Sequence, residues 1–282
     1  MKARFIWSAV ALIAFTACSQ LVNHIPEGAG KVFDIRTGEE LTVRAAAKAD
    51  GWYGTLTADG QSVSFVRYNP DAFQTTVVAA EGEHADSTSA LCLGFDAFAG
   101  INGSYFNMQE LTPVTFVKDD GFITATTPDE SALANGALVL KPESVRIEAC
   151  DTTSIFELDW EGLAGGPLLI DEGQSFTYGE DTPDWETFFN TRHPRSLIGK
   201  DAEGGVWMVV VDGRFPGQAE GMTIAELTVL AERLGLVEAL NLDGGGSSTL
   251  WVLPAGVISH PSDNGLFDHE GQRIVPNAVV IR

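Results

Sequence analysis

The sequence predicts an α+β fold, with a mixed β-sheet core, a few helices and an α/β-like unit near the C-terminus. Three observations predict it. Apolar and polar residues alternate from Val63 onward (VSFVRY, then FQTTVVA), with the period of half-buried strands. The centre holds short apolar runs, at 137–140 and 167–170, cut apart by Gly, Pro and Asp. The last third reads as strand, helix, strand.

Taken in order, the first two alternating runs flank Asn69-Pro70-Asp71, a turn signal, and therefore read as a hairpin. A short helix over 87–93 precedes an apolar strand that delivers Asn102-Gly103-Ser104-Tyr105-Phe106-Asn107 at its end. Residues 173–191 are acidic and turn-rich, a surface loop that is either a lid or a solvated insertion. Residues 206–211 form a continuous apolar run ending in Asp212-Gly213-Arg214, the mark of a strand buried on both faces. Thr223 and Glu226 make a capping box, Leu227, Leu230, Ala231 and Leu234 share one helical face, and Gly235 stops the helix. A strand at 236–242, the Gly244-Gly245-Gly246 turn, a strand at 248–253 and a last strand at 278–282 complete the chain.

The 282 residues are 44% hydrophobic and 20% charged, which describes a folded protein rather than a disordered one. With 39 acidic against 17 basic side chains the formal charge is −22, and such acidity excludes a nucleic-acid binder, which needs a basic face. An anionic substrate must be held by a few local arginines against that field.

Lys2 and Arg4, the apolar stretch 5–17 and the small residues before Cys18 have the three parts of a secretory signal. Phe15-Thr16-Ala17-Cys18 resembles the lipobox of bacterial lipoproteins, with phenylalanine in place of the usual leucine. The expected organisation is a signal at 1–17, a lipid tether and β-rich lead-in at 18–61, and the main domain at 62–282. Removal of the signal leaves a chain of charge −24, exported to the periplasm or cell surface and held at a membrane through a lipid on Cys18 alone. Cys92 and Cys150 are then a pair in an oxidising compartment, either a disulfide, the favoured reading, or two separately buried thiols. No zinc-ligand spacing is present.

The segment richest in chemistry is Asn241-Leu242-Asp243-Gly244-Gly245-Gly246-Ser247-Ser248. In a strand, Asn241 and Asp243 share one face while Leu240 and Leu242 take the other, so two polar groups emerge together before a backbone able to present amides to an anion. A glycine-rich turn with ordinary polar residues accounts for the same letters equally well. The segment resembles the signature of the phosphodiester glycosidase family. The resemblance extends in family order through INGSYFN at 101–107, LAGGPLLI at 163–170, HPRSLIG at 193–199, VDGR at 211–214, GMT at 221–223, SHPSD at 259–263 and VPNA at 275–278, and covers residues 62–282. Two departures stand out: Ser196-Leu197 where the family has Thr-Ala, and Ser104 where a second glycine is common.

This resemblance implies hydrolysis of a sugar-1-phosphodiester at the anomeric C–O bond, on envelope or exopolysaccharide glycans. Asp243 is the first candidate for nucleophile or general base and Asp212 the second. Arg195 is expected to clamp the phosphate through its bidentate fork, with a structural salt bridge as its other possible role. Arg214 is a weaker candidate for the same anion. Asn102, Gly103 and Asn241 suit a sugar, and Gly244, Gly245, Gly246, Ser247 and Ser248 suit the phosphate. His193 and His260 are either acid catalysts or structural, and Tyr105 and Phe106 either stack on a sugar or pack in the core. No cofactor is required, although carboxylates in the 171–186 loop could hold a structural calcium. The competing functions are a metal-dependent phosphodiesterase and a non-catalytic glycan-binding lipoprotein. A serine hydrolase is disfavoured because Ser247 lacks the Gly-x-Ser-x-Gly elbow.

Overall fold

The computed structural model describes residues 26, 29–80, 85–127, 134–142, 144–150, 161–178 and 186–282. The segment expected to be a signal, Cys18 and part of the acidic loop lie outside them. Helix is sparse: Val43–Ala46 (α1), Thr88–Gly94 (α2), Glu186–Asn190 (α3) and Ile224–Arg233 (α4) are its α-helical segments. The protein is dominated by sheet.

A nine-stranded sheet runs, edge to edge, through Gln174–Ser175, Leu168–Asp171, Leu236–Asn241, Arg195–Asp201, Val206–Val211, Gln61–Tyr68, Gly51–Ala58, Ala29–Asp34 and Glu40–Leu41. Both of its faces are covered. Within the strand Val206–Val211, Met208 and Val210 join a core shared with two five-stranded sheets, while Trp207, Val209 and Val211 pack on the opposite side with Leu227, Leu230 and Ala231 of α4. The apolar run therefore reads as it must for a strand covered on both sides. One five-stranded sheet contains Ala99–Asn102 between Leu250–Val252 and Asn277–Ile281; the other is built on Gly136–Lys141 and Glu161–Gly165.

Helix α4 has the expected capping box at Thr223 and Glu226, and α2 is capped by the Ser87 hydroxyl. The unit around α4 nevertheless departs from a parallel α/β unit. Val206–Val211 and Leu236–Asn241 point the same way but are separated by Arg195–Asp201, which is antiparallel to both. The α4 crossover thus skips a strand, and every ladder among the described residues is antiparallel.

The hairpin expected across Asn69 is also absent. Gln61–Tyr68 instead turns back on Gly51–Ala58 through Asp59-Gly60, both at positive φ, as a tight hairpin turn requires. After Asn69 the chain crosses to a different sheet, where Thr75–Ala79 pairs with Asn277–Ile281.

Cys92 and Cys150 are not joined. Cys92 is buried in an apolar cluster with Val78, Trp251 and Val280, and Cys150 packs against a separate cluster around Phe116 and Val139. The favoured disulfide is not formed, because the two cysteines belong to different sheets' cores; of the two thiols only Cys92 is fully buried, Cys150 being half-buried. Burial pushes the Cys92 thiol up to about 12. An alkylating reagent is expected to label Cys92 only after unfolding, and a reductant to leave the melting temperature unchanged; a drop in melting temperature on reduction would contradict this arrangement.

Candidate active site

The order of the nine-stranded sheet builds the site. Arg195 pairs with Val211, and Leu197 with Asn241, so the first residue of one strand and the last residues of its two antiparallel neighbours share one edge of the sheet. Asp212 and Asp243 follow those neighbours directly. Ser62 arrives at the same edge from the next strand, since Val63 pairs with Val211.

Leu240 and Leu242 point into the core, and Asn241 and Asp243 to the other face, as the strand period requires. The Asp243 amide donates to the Gly103 carbonyl at 3.2 Å. Its carboxyl is pushed up from 3.8 to about 6 by desolvation, against the pull of the neighbouring Ser247 hydroxyl, Arg273, the Gly244 amide and Arg214. Ser247 lies close enough to the carboxylate to favour its charged form. Four buried polar atoms here have no hydrogen-bond partner: Asn241 Oδ1 and the hydroxyls of Ser247, Ser248 and Thr249. Orphaned buried polar groups are rare in folded proteins, and four in nine residues mark a place built to receive polar atoms from outside.

The glycine turn brings cations close. Arg214 holds φ of 68°, a strained conformation for a non-glycine residue. Its guanidinium lies 2.9 Å from where a Cβ on Gly245 would stand and, among the described residues, is tied only by a 3.3 Å bond from Nη1 to Ser262 Oγ. Gly246 passes beneath a bidentate pair in which Arg273 Nε and Nη2 donate to Asp263 at 2.7 and 2.8 Å. A Cβ at Gly246 would fall 1.9 Å from Asp263 Oδ1. The Asp263–Arg273 pair was not a sequence candidate, since Arg273 belongs to no motif.

Arg195 is placed differently from the expected phosphate clamp. It is 1% exposed. Its Nε donates to the Met222 carbonyl at 2.9 Å, and Nη2 donates to the carbonyls of Phe188 and Thr191 at 2.7 and 3.1 Å. The guanidinium also lies 4.8 Å from the Phe188 ring centre. Burial lowers its pKa to about 10. Arg195 is a strut between α3 and the segment that leads into α4.

The asparagines act largely from behind the site. Asn102 donates from Nδ2 to the Asp243 carbonyl at 2.7 Å, while its Oδ1 accepts from Ser196 Oγ at 2.8 Å and the Thr249 amide at 3.2 Å. Its polar atoms are committed to holding the Asp243 loop, and Ser196 keeps the hydroxyl that this contact needs. Asn241 Nδ2 donates to the Tyr105 hydroxyl and the Gly166 carbonyl at 2.7 and 2.8 Å, leaving only Oδ1 open. Tyr105 is buried and packs edge-on against Phe188, a core role. Ser104, which stands where the family commonly has a second glycine, pairs with Asn277 through its amide and hydroxyl, both at 2.8 Å.

A Cβ on Gly103 would stand 2.0 Å from Asn277 Oδ1 and 3.2 Å from the Asn277 carbonyl. Gly103→Ala is expected to break the Asn277–Ser104 bonds and cost about 1–3 kcal/mol, the usual cost of leaving such buried groups unpaired. Urea unfolding measures it, and unchanged stability would refute the tight packing inferred there.

Asp212 is buried and fully engaged. It accepts from Ser62 Oγ at 2.6 Å and from the His260 amide at 2.8 Å, and His260 Nδ1 lies 2.7 Å from its Oδ2. His193 pairs through its backbone with Met222, and its ring pKa is lowered by burial and by Arg195 and Arg214. No group of three or more metal-ligating side chains is present among the described residues, and residues 179–185 of the proposed calcium loop lie outside them. A separate groove of about 440 Å³ between Leu56, Val63, Met222 and Leu230 contains none of Asp243, Asp212, Arg214 or the orphaned hydroxyls.

Two strand-end aspartates thus share one sheet edge with a glycine turn flanked by arginines. The phosphodiester glycosidase family model matches residues 95–282, and the chain belongs to that family. It is 26% identical over 176 residues to mouse N-acetylglucosamine-1-phosphodiester alpha-N-acetylglucosaminidase, a match covering 58% of this chain and 33% of the relative. The human protein of the same name is 32% identical over 104 residues, covering 36% of this chain and 20% of that one. The chain thus spans about a third or less of the length of these relatives.

Among solved structures, the catalytic domain of the zebrafish protein of that name, auto-inhibited by its pro-peptide, superposes with a TM-score of 0.63 at 18% identity, over 90% of this chain and 81% of that chain. A protein of Burkholderia pseudomallei superposes with a TM-score of 0.57 at 15% identity, over 83% of this chain and 74% of that one. These two likenesses speak for the fold.

Proposed function

We propose that the protein hydrolyses a glycosyl phosphodiester at the anomeric C–O bond, releasing a free sugar and a phosphomonoester. The observation that carries this reading is the cluster of orphaned buried polar atoms at Asn241, Ser247, Ser248 and Thr249 around a carboxyl poised at about 6. A carboxyl with that pKa suits proton transfer near neutral pH, so Asp243 is the general base that takes the proton of the attacking water. Arg214, available and lying against the glycine turn, meets the phosphate in place of the buried Arg195. The serine hydroxyls and turn amides complete an anion cradle that stabilises the departing charge.

The test is direct. Incubation with the methyl phosphodiester of a sugar 1-phosphate is expected to yield reducing sugar and methyl phosphate. Release of sugar 1-phosphate would show P–O cleavage and defeat the proposal, and binding without turnover would favour a glycan-binding protein. The proposed setting is an exported lipoprotein acting on envelope or exopolysaccharide glycans. Metabolic labelling with a radioactive fatty acid should mark the wild-type protein and be lost in Cys18→Ser; equal labelling of both would remove the anchor.

A further inference from the structure

We propose that His260, held by Asp212, is the proton donor to the departing phosphate oxygen. This assignment rests on the glycosidase reading and completes it, since Asp243 alone supplies only one of the two proton transfers. The Asp212 carboxylate has its oxygens occupied by Ser62 and by both the amide and Nδ1 of His260, and its side chain is wholly buried. With Nδ1 bound to a carboxylate, the working nitrogen is Nε2, which has no hydrogen-bond partner among the described residues. A carboxylate on Nδ1 fixes the ring's tautomer and orientation and steadies its protonated form.

The ring is clamped as well as oriented. It stacks on Phe267 at 3.8 Å between ring centres and 9° between planes, and Phe267 in turn meets Phe215 edge-on. His269 lies beside it at 4.5 Å between centres, with its own Nδ1 2.8 Å from the Ser259 carbonyl. The charged or titratable groups facing His260 are therefore Asp212, His269 and, at longer range, Asp268. The imidazole keeps 17% of its side-chain surface exposed, enough to meet a ligand.

Arg214 connects this histidine to the rest of the site. It follows Asp212 by two residues, bonds Ser262, two residues beyond His260, and lies against Gly245, two residues beyond Asp243. The turn that follows Asp243 and the segment that follows His260 thus both meet Arg214. In the reaction the C1–O bond breaks and its electron pair goes to the phosphoryl oxygen, which takes the proton from His260 Nε2. The water oxygen bonds to C1 and gives a proton to Asp243. Solvent then removes that proton and returns one to His260, so one water is consumed for each diester cleaved.

The alternative is that the Asp212–His260 pair only pins the loop at 259–273. The pH dependence of kcat/KM on the methyl phosphodiester separates the two. The wild type is expected to show a rising limb from Asp243 and a falling alkaline limb from the group that donates the proton. His260→Gln should lose about 10²–10⁴-fold in kcat, with KM little changed, and lose the falling limb while keeping the rising one. Asp212→Asn should lose the same limb. A curve that is merely lowered, with both limbs intact, overturns the proposal.

A second measurement needs no variant. Nitrogen NMR of the wild-type histidines, titrated with methyl phosphate, should move the His260 Nε2 signal, and a silent His260 overturns the assignment even if the variants fail to fold. Wild-type release of sugar 1-phosphate would instead sink the glycosidase reading, leaving the titration to report on its own whether His260 meets a phosphomonoester.

Discussion

Asp243→Asn is expected to abolish turnover and, at the same time, to make the protein more stable above pH 6. Loss of the general base should lower kcat by about 10²–10⁴-fold on a glycosyl phosphodiester. The stability effect follows from linkage. Desolvation raises the Asp243 carboxyl from 3.8 to about 6, so the folded state holds this proton more tightly than the unfolded chain does. Stability associated with the group is fully present below pH 3.8 and is lost as pH rises through 6. The neutral amide escapes that loss. At about 1.4 kcal/mol per pH unit, the variant should gain up to about 3 kcal/mol over wild type at pH 7–8 and nothing at pH 3. Chemical unfolding at the two pH values reads the difference. A variant that is inactive but no more stable at pH 8 would mean that Asp243 is not held in a desolvated, charge-unfriendly place. One that remains active would remove Asp243 from the mechanism.

Arg195→Met is expected to fail by unfolding rather than by weak binding. The side chain satisfies three backbone carbonyls, those of Phe188, Thr191 and Met222, and methionine fills similar space without a donor. Leaving these carbonyls unpaired should cost about 2–4 kcal/mol, partly offset because a buried cation is removed with its desolvation penalty. Activity should fall in step with the folded fraction, with KM for the phosphodiester unchanged in what remains. A fully stable Arg195→Met protein with a KM raised tenfold or more would restore the phosphate clamp that the motif suggested. The corresponding change at Arg214 should do the reverse, raising KM with little effect on stability, because Arg214 is exposed and lightly tied.

The contrast between these two arginines shows where reading from sequence stops. Both stand in motifs, His-Pro-Arg and Asp-Gly-Arg, and nothing in the letters says which guanidinium is free. Arg195 begins a strand covered on both faces, and its Nε and Nη2 are spent on nearby carbonyls; Arg214 sits one turn past a strand end, where positive φ lifts it toward the glycine turn. Asn102 follows the same rule. Its residue type suited a sugar, yet its place at the junction of two sheets commits its polar atoms to the Asp243 and Thr249 backbone and to Ser196. His260 moved the other way. Its residue type suited either an acid catalyst or a structural role, and the fold sets its Nδ1 on the buried Asp212 carboxylate, 48 residues earlier.

Period and local chemistry were enough for the capping box of α4, the Ser87-capped helix, the doubly buried strand at 206–211 and the opposed faces of Leu242 and Asp243, because each is settled by residues within a turn or two of one another. The family was legible for a similar reason: its motifs are short, contiguous and in order. Strand pairing was not legible at 61–79 or around α4, since a strand's alternation names its faces but not its neighbours, and Thr75–Ala79 finds its partner some 200 residues away. The thiols at Cys92 and Cys150 could be sorted into separate cores only once the sheets were placed. Composition set a strongly acidic chain in which an anion needs local cations; only the tertiary structure decided which arginines stand beside the glycine turn, because only folding could bury Arg195 and bring that turn against Arg214 and Arg273.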